Sequence, residues 1–182
     1  VLGHWAIYPQ ALRELFTRAF TAGLYDPASR VQESEWRRAL RLLHDSVLTC
    51  PACGAQNFHD PQRKSAPSCW GCGRVLPASP LRLGLRRRNA GRGEAPDHVI
   101  VIEPGACVFA DQLGLAKMPP QAVAAEVATG SGQPAPRLRN FSGVSWTAQD
   151  AGGSRPVESG DEVLVVPGLR LSCGDVVGTV RG

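Results

Sequence analysis

Four of the six cysteines in this 182-residue chain fall in two Cys-x-x-Cys pairs, Cys50-Pro-Ala-Cys53 and Cys69-Trp-Gly-Cys72, with 15 residues between them. Two residues between paired cysteines let one tight turn aim both thiolates at a single ion, and the intervening length lies within the spacing of four-cysteine structural zinc sites. Gly54 and Gly73 follow each pair and supply the permissive backbone such knuckles need. Four thiolates complete a tetrahedral Zn2+ and leave no open position, so the expected role is structural rather than catalytic. Zinc also answers a size problem, because roughly 30 residues cannot bury enough apolar surface to fold unaided. The competing thiol-redox reading fits less well: such a pair normally opens a helix after a strand, and here it occurs twice amid Pro and Gly. His44 and His59 lie near the cysteines, but four thiols already fill the shell, and both histidines are expected at the solvent-exposed surface. Cys107 and Cys173 sit in apolar runs and read as buried thiols.

A second chemistry resides in arginine. Arg86, Arg87, Arg88 and Arg92 form a basic loop whose planar, bidentate donors could capture a phosphate, or which could simply be solvated. Residues 50–93 hold eight basic side chains against one acidic, whereas 94–182 hold six against ten, so the net +4 of the chain conceals a basic middle. That middle fits a nucleic-acid surface, a contact with the acidic C-terminal half, or solubility alone. Arg63, Lys64 and Arg74 with Phe58 and Trp70 would supply charge and stacking to a nucleic acid, which makes a zinc-ribbon nucleic-acid-binding protein using residues 50–93 the alternative reading.

The elements that must carry these groups are short. Gly 20 and Pro 15 with only 6% aromatic residues point to many turns, while 43% hydrophobic and 20% charged residues exclude a wholly disordered chain. No apolar run approaches the ~20 residues of a membrane helix, no secretory leader is visible, and the opening Val1 reads as a piece of something longer. With paired cysteines read as metal ligands, a reducing cytoplasm is the expected compartment. Leu12, Leu15, Phe16, Ala19 and Phe20 mark one helical face after Pro9, with Gly23 as the expected C-terminal glycine and a turn at Asp26-Pro27. A second helix is expected from about Gln32 to Val47, burying Trp36, Leu40, Leu43 and Val47. Beyond residue 81, short β-branched runs at 98–102, 106–110, 123–127, 144–147, 162–166, 168–171 and 176–180 describe a sandwich or barrel.

Leu15-Phe16, Ala19-Phe20, Gly23-Leu24, Asp26-Pro27, Arg30, Trp36 and Leu40 resemble the end of a protein-kinase C-lobe, where an apolar helix precedes Asp-Pro-x-x-Arg and a final helix. The Gly-rich loop, strand lysine, His-Arg-Asp loop and Asp-Phe-Gly triplet of that family do not occur here, so no phosphoryl transfer is expected of these residues. Arg137-Leu-Arg-Asn140-Phe-Ser142-Gly-Val-Ser-Trp146, followed by Gly160-Asp161-Glu-Val-Leu-Val, resembles the second half of a forkhead-associated (FHA) β-sandwich. Members of that family typically bind phosphothreonine peptides, which would make Asn140 and Ser142, with Arg86, Arg87, Arg88 and Arg92, the partner-binding residues. The family's Gly-Arg followed by Ser-x-x-His is not found in order, and Phe141 stands where a glycine would follow Asn140. The order of parts resembles the C-terminal portion of bacterial serine/threonine protein kinases from tellurium-resistance-type gene neighbourhoods. The expectation is an α+β, multi-module chain: a helical pair at 1–49, a zinc ribbon at 50–80 and an all-β, FHA-like sandwich at 81–182. The resemblance implies a non-catalytic regulatory region with a protein partner, phosphorylated or not, and a kinase domain in the parent chain.

Overall fold

Helix α1 (Gln10–Phe20) forms where the apolar positions recur at helical spacing, with Pro9 as the residue that precedes its first turn. In the computed structural model, which describes residues 2–60, 63, 65–89, 96–128 and 135–182, Leu12 is buried, Leu15, Phe16 and Ala19 are half-buried and Phe20 is exposed. Gly23 does not end α1; it lies inside a short helix α2 (Ala22–Tyr25) with an ordinary backbone. Its requirement is space, since a Cβ there would stand 3.1 Å from the Arg18 carbonyl and 3.4 Å from Arg30 Cα. The expected Asp-Pro turn is a 3-10 turn at Pro27–Ser29, capped by the Asp26 carboxylate, which accepts from Ala28 N at 2.9 Å and Ser29 Oγ at 2.5 Å.

Helix α3 (Glu33–Asp45) opens with a reciprocal cap between Gln32 and Glu35. The helix stops two residues short of Val47, and its inward stripe runs through Trp36, Ala39 and Leu43, leaving Leu40 exposed. Ala39, the one fully buried apolar residue of α3, takes the place expected for Leu40. Phe16 meets Trp36 edge-on at 4.9 Å and Trp5 at 5.7 Å. Arg18 of α1 is hydrogen-bonded to Glu35 of α3, and this partner, with the Gln32 N–H, holds the Glu35 carboxyl below the usual glutamate range. A depressed carboxyl pKa contributes stability that is present above its unfolded value and fades as pH falls through the folded one. An NMR titration should therefore place the Glu35 midpoint below that of a free glutamate, and Arg18→Gln should move it upward.

Strands β1 (Val47–Thr49) and β2 (Gln56–Phe58) pair antiparallel, Val47 opposite Phe58. Tyr8, which follows an N-terminal 3-10 turn at Leu2–Ile7, stacks on Phe58 at 5.4 Å, so that turn and the hairpin share one aromatic seam. The helices and this hairpin belong to one unit, Val1–Ser79, and the rest of the chain forms a second, Pro80–Gly182.

Among the described residues the second unit has ten strands: β3 (Arg82–Arg87), β4 (His98–Val101), β5 (Cys107–Phe109), β6 (Val123–Ala128), β7 (Arg137–Asn140), β8 (Trp146–Asp150), β9 (Gly153–Val157), β10 (Glu162–Leu164), β11 (Arg170–Cys173) and β12 (Val176–Arg181). They make a six-stranded sheet, β4-β3-β12-β11-β8-β9, and a four-stranded sheet, β10-β7-β6-β5, with every pair antiparallel. Alternate residues of both sheets, among them Leu83, Leu85, Val127, Leu138, Trp146 and Leu171, fill one core. Cys173 is buried there, whereas Cys107 is only half-buried. Strand β9 lies outside the runs expected to form strands; as the sheet edge it tolerates Pro156. Thus the architecture is α+β with mainly antiparallel sheets. Among the described residues no helix is long and apolar enough to cross a membrane.

Candidate metal centre

Both cysteine pairs are built by the same backbone device. The Cys50 N–H donates to the Ala55 carbonyl at 2.9 Å and the Gly54 N–H to the Cys50 carbonyl at 2.9 Å; around the second pair, Cys69 N–H reaches Arg74 O at 2.7 Å and Gly73 N–H reaches Cys69 O at 2.8 Å. Gly54 and Gly73 close the two turns with φ of 72° and 75°, a left-handed conformation that a side chain would strain. The first knuckle connects β1 to β2, and a bridge between Ser68 and Val75 frames the second.

The four sulfurs lie within 4.8 Å of one another and could hold a metal ion. Cys50 Sγ is 3.7 Å from Cys72 Sγ, and Cys53 Sγ is 3.6 Å from Cys69 Sγ. A tetrahedron with metal–sulfur bonds of about 2.3 Å has edges of about 3.8 Å, so the spacing suits one ion at the centre and no disulfide.

Backbone and amide donors prepare two of the sulfurs, those of Cys69 and Cys50, for negative charge. Burial pushes the Cys69 thiol up, but the Cys72 N–H, the Asn57 amide and the Gly71 N–H outweigh it and bring the group to about 6. Cys50 is drawn down, chiefly by the Ala52 N–H. Cys53 feels the Ala55 N–H pulling down, yet Cys72, burial and the remaining thiols together push it up to about 12. Four sulfurs at this separation cannot all carry charge without a cation among them, and a bound metal supplies that charge.

Asn57 was not among the expected site residues. It is buried, its Nδ2 donates to Ala55 O at 2.9 Å and approaches Cys69 Sγ at 3.6 Å, and its Oδ1 accepts from Trp70 N at 3.1 Å. One side chain thereby ties the two knuckles together. Only the inward alternation along β2 hints at it. The same alternation buries His59, contrary to the expected exposure, while His44 is exposed. Neither histidine belongs to the sulfur cluster.

In the second unit, Arg86 and Arg87 line a cavity of about 210 Å3 together with Asp97, His98 and Asp111. Arg88 follows them at the exposed end of β3, its N–H bonded to Asp175 O, and Arg92 lies outside the described residues, as does Lys64 of the first unit. Asn140 and Ser142 do not join that cavity. Both are buried in a knot of internal hydrogen bonds, with Ser142 Oγ also accepting from Trp146 Nε1 at 3.0 Å. No protein-family model, no curated protein and no solved structure matches the chain.

Proposed function

We propose that this chain is a non-catalytic regulatory and protein-interaction region of a bacterial serine/threonine protein kinase-like protein, stapled by one structural zinc ion. The closed four-sulfur set carries the reading: a thiolate-only, tetrahedral site suits zinc, and it leaves no ligand position for a substrate. Two further features support it. The helix, Asp-Pro turn and second helix follow the kinase C-lobe pattern in order, and Phe20, Leu24, Tyr25 and Leu40 remain exposed, as a fragment of a larger helical lobe would leave them. The two-sheet unit is compatible with an FHA-like sandwich that recognises a phosphorylated partner through Arg86 and Arg87, in a chain working in the reducing cytoplasm.

The partner class is open to a direct measurement. A phosphothreonine peptide array should yield ligands whose binding disappears on dephosphorylation and falls about tenfold in Arg87→Ala, the size expected for losing a charge-assisted pair. Equal binding of phosphorylated and unphosphorylated peptides would remove the phosphate-recognition reading and leave the zinc staple to be judged separately.

A further inference from the structure

A concavity of about 180 Å3 in the first unit borders the sulfur cluster through Asn57 and Trp70 without including any of the four cysteines. It lies between the N-terminal turn, the start of α1, β2 and the chain leading to the second knuckle. Its lining combines the rings of Tyr8, Phe58 and Trp70 with Arg13, Arg63 and a single carboxylate, Asp60. Tyr8 and Phe58 stack with their planes 26° apart and form a continuous apolar wall. The Trp70 indole N–H donates to Gln56 O at 2.7 Å, which fixes the ring edge, and the residue remains 46% exposed.

Three observations point to an anion. Arg13 and Arg63 stand against one carboxylate, Asp60, among the described lining residues, so this lining is net positive. Arg13 Nε is buried with no hydrogen-bond partner, a donor that is costly to leave unmade. Helix α1 also begins at the cavity with no side-chain cap and no acidic residue in its first turn, so the helix dipole adds to the positive potential. The volume is below the roughly 300–1,000 Å3 of drug-sized pockets and suits one ring system bearing one anionic group. A nucleobase joined to its phosphate supplies that combination of a flat ring and one anion, because every base has a face for an aromatic wall and the phosphate takes bidentate guanidinium donors.

We propose that this cavity binds a single nucleotide unit, its phosphate held by Arg13 and Arg63 and its base against the wall of Tyr8, Phe58 and Trp70. This site is independent of phosphopeptide recognition by the second unit. The unit is either a free mononucleotide or the exposed end of a single strand, and the test separates the two.

Isothermal titration of the metal-loaded full chain with AMP should show binding at least about tenfold tighter than with adenosine or inorganic phosphate, because each of these keeps only half of the contacts. Arg63→Gln, at an exposed position that does not threaten folding, should weaken AMP about tenfold and leave adenosine unchanged. Arg13→Gln should do the same with unaltered circular dichroism and metal content. A 5′-phosphorylated tetra-adenylate that binds more tightly than AMP identifies a strand end as the ligand, and equal or weaker binding identifies the free nucleotide. The proposal is overturned if AMP binds no better than phosphate, if phenyl phosphate or an acidic peptide equals AMP, or if Arg63→Gln leaves AMP affinity unchanged.

Discussion

Cys69→Ser is expected to abolish stoichiometric zinc binding and to unfold the hairpin and knuckles of the first unit while the two sheets of the second stay folded. Cys69 is the most heavily supported of the four sulfurs: it is buried and takes the Asn57 amide at 3.6 Å and the Gly71 N–H at 3.4 Å. A serine hydroxyl there is a poor ligand and leaves three thiolates crowded without the charge that holds them together. Structural zinc in small finger peptides contributes an apparent ~10–16 kcal/mol, against a total stability of ~5–15 kcal/mol for an ordinary domain. Few other buried apolar groups support the knuckles, Leu48 and Leu76 being the principal ones. Native mass spectrometry should show one zinc per wild-type chain and none per variant chain. Hydrogen exchange should show protection lost across 47–58 and 68–76 and retained in β3, β8, β11 and β12. Because the ligands must be deprotonated, acid should release the metal as well. Cys107→Ser, outside the cluster, is the matched control. Full zinc occupancy in the Cys69 variant, or unchanged protection at 47–58, would remove the staple.

The second large effect belongs to a neutral side chain. Asn140→Ala should destabilise the second unit by about 3 kcal/mol, a fall of roughly 15 °C in thermal midpoint for a unit of about 100 residues. Asn140 is fully buried; its Nδ2 donates to Val144 O at 2.8 Å and Val157 O at 3.0 Å, and its Oδ1 accepts from Ser142 N at 2.8 Å and Ser142 Oγ at 2.7 Å. Truncation removes this partner from the Val157 carbonyl, the Ser142 N–H and the Ser142 hydroxyl, leaves Val144 O with only Ser142 Oγ at 3.2 Å, and frees the loop between β7 and β8 from the end of β9. Phe141→Ala, at the exposed neighbour, should cost little by comparison. Asn140→Asp should not rescue, since a carboxylate cannot donate to either carbonyl. A calorimetric scan in which Asn140→Ala melts with the wild type would show that water replaces these bonds without penalty.

What could be read in advance was whatever depends on neighbours along the chain. The metal knuckles were legible because ligand, spacer and glycine all lie within five residues of each other, and the helices because their apolar period is local. The role of Asn57 was hidden, since it arises from a hairpin register that sets it opposite Leu48 and beside a sulfur 12 positions away. His59 was misjudged for the same reason: its exposure depends on which face of β2 turns inward. On α3 the helical period alone could not choose between Ala39 and Leu40, because packing against α1 is decided by closeness of approach. Strand β9 escaped notice because its composition is that of a turn, and only a neighbour, β8, makes it a strand. Asn140 was expected among the partner-binding residues, but its burial follows from Val157, which lies 17 residues further on.

Strand β9 has a bearing on behaviour at high concentration. It closes one margin of the six-stranded sheet with four exposed residues in five, and its fourth residue, Pro156, has no amide hydrogen to offer. A second chain approaching that margin finds an interrupted row of donors on a hydrophilic ribbon, a poor template for adding another layer. Crowded solutions of the protein are thereby guarded on that flank against fibre growth, and any self-association through the sheet must begin at the opposite margin, β4.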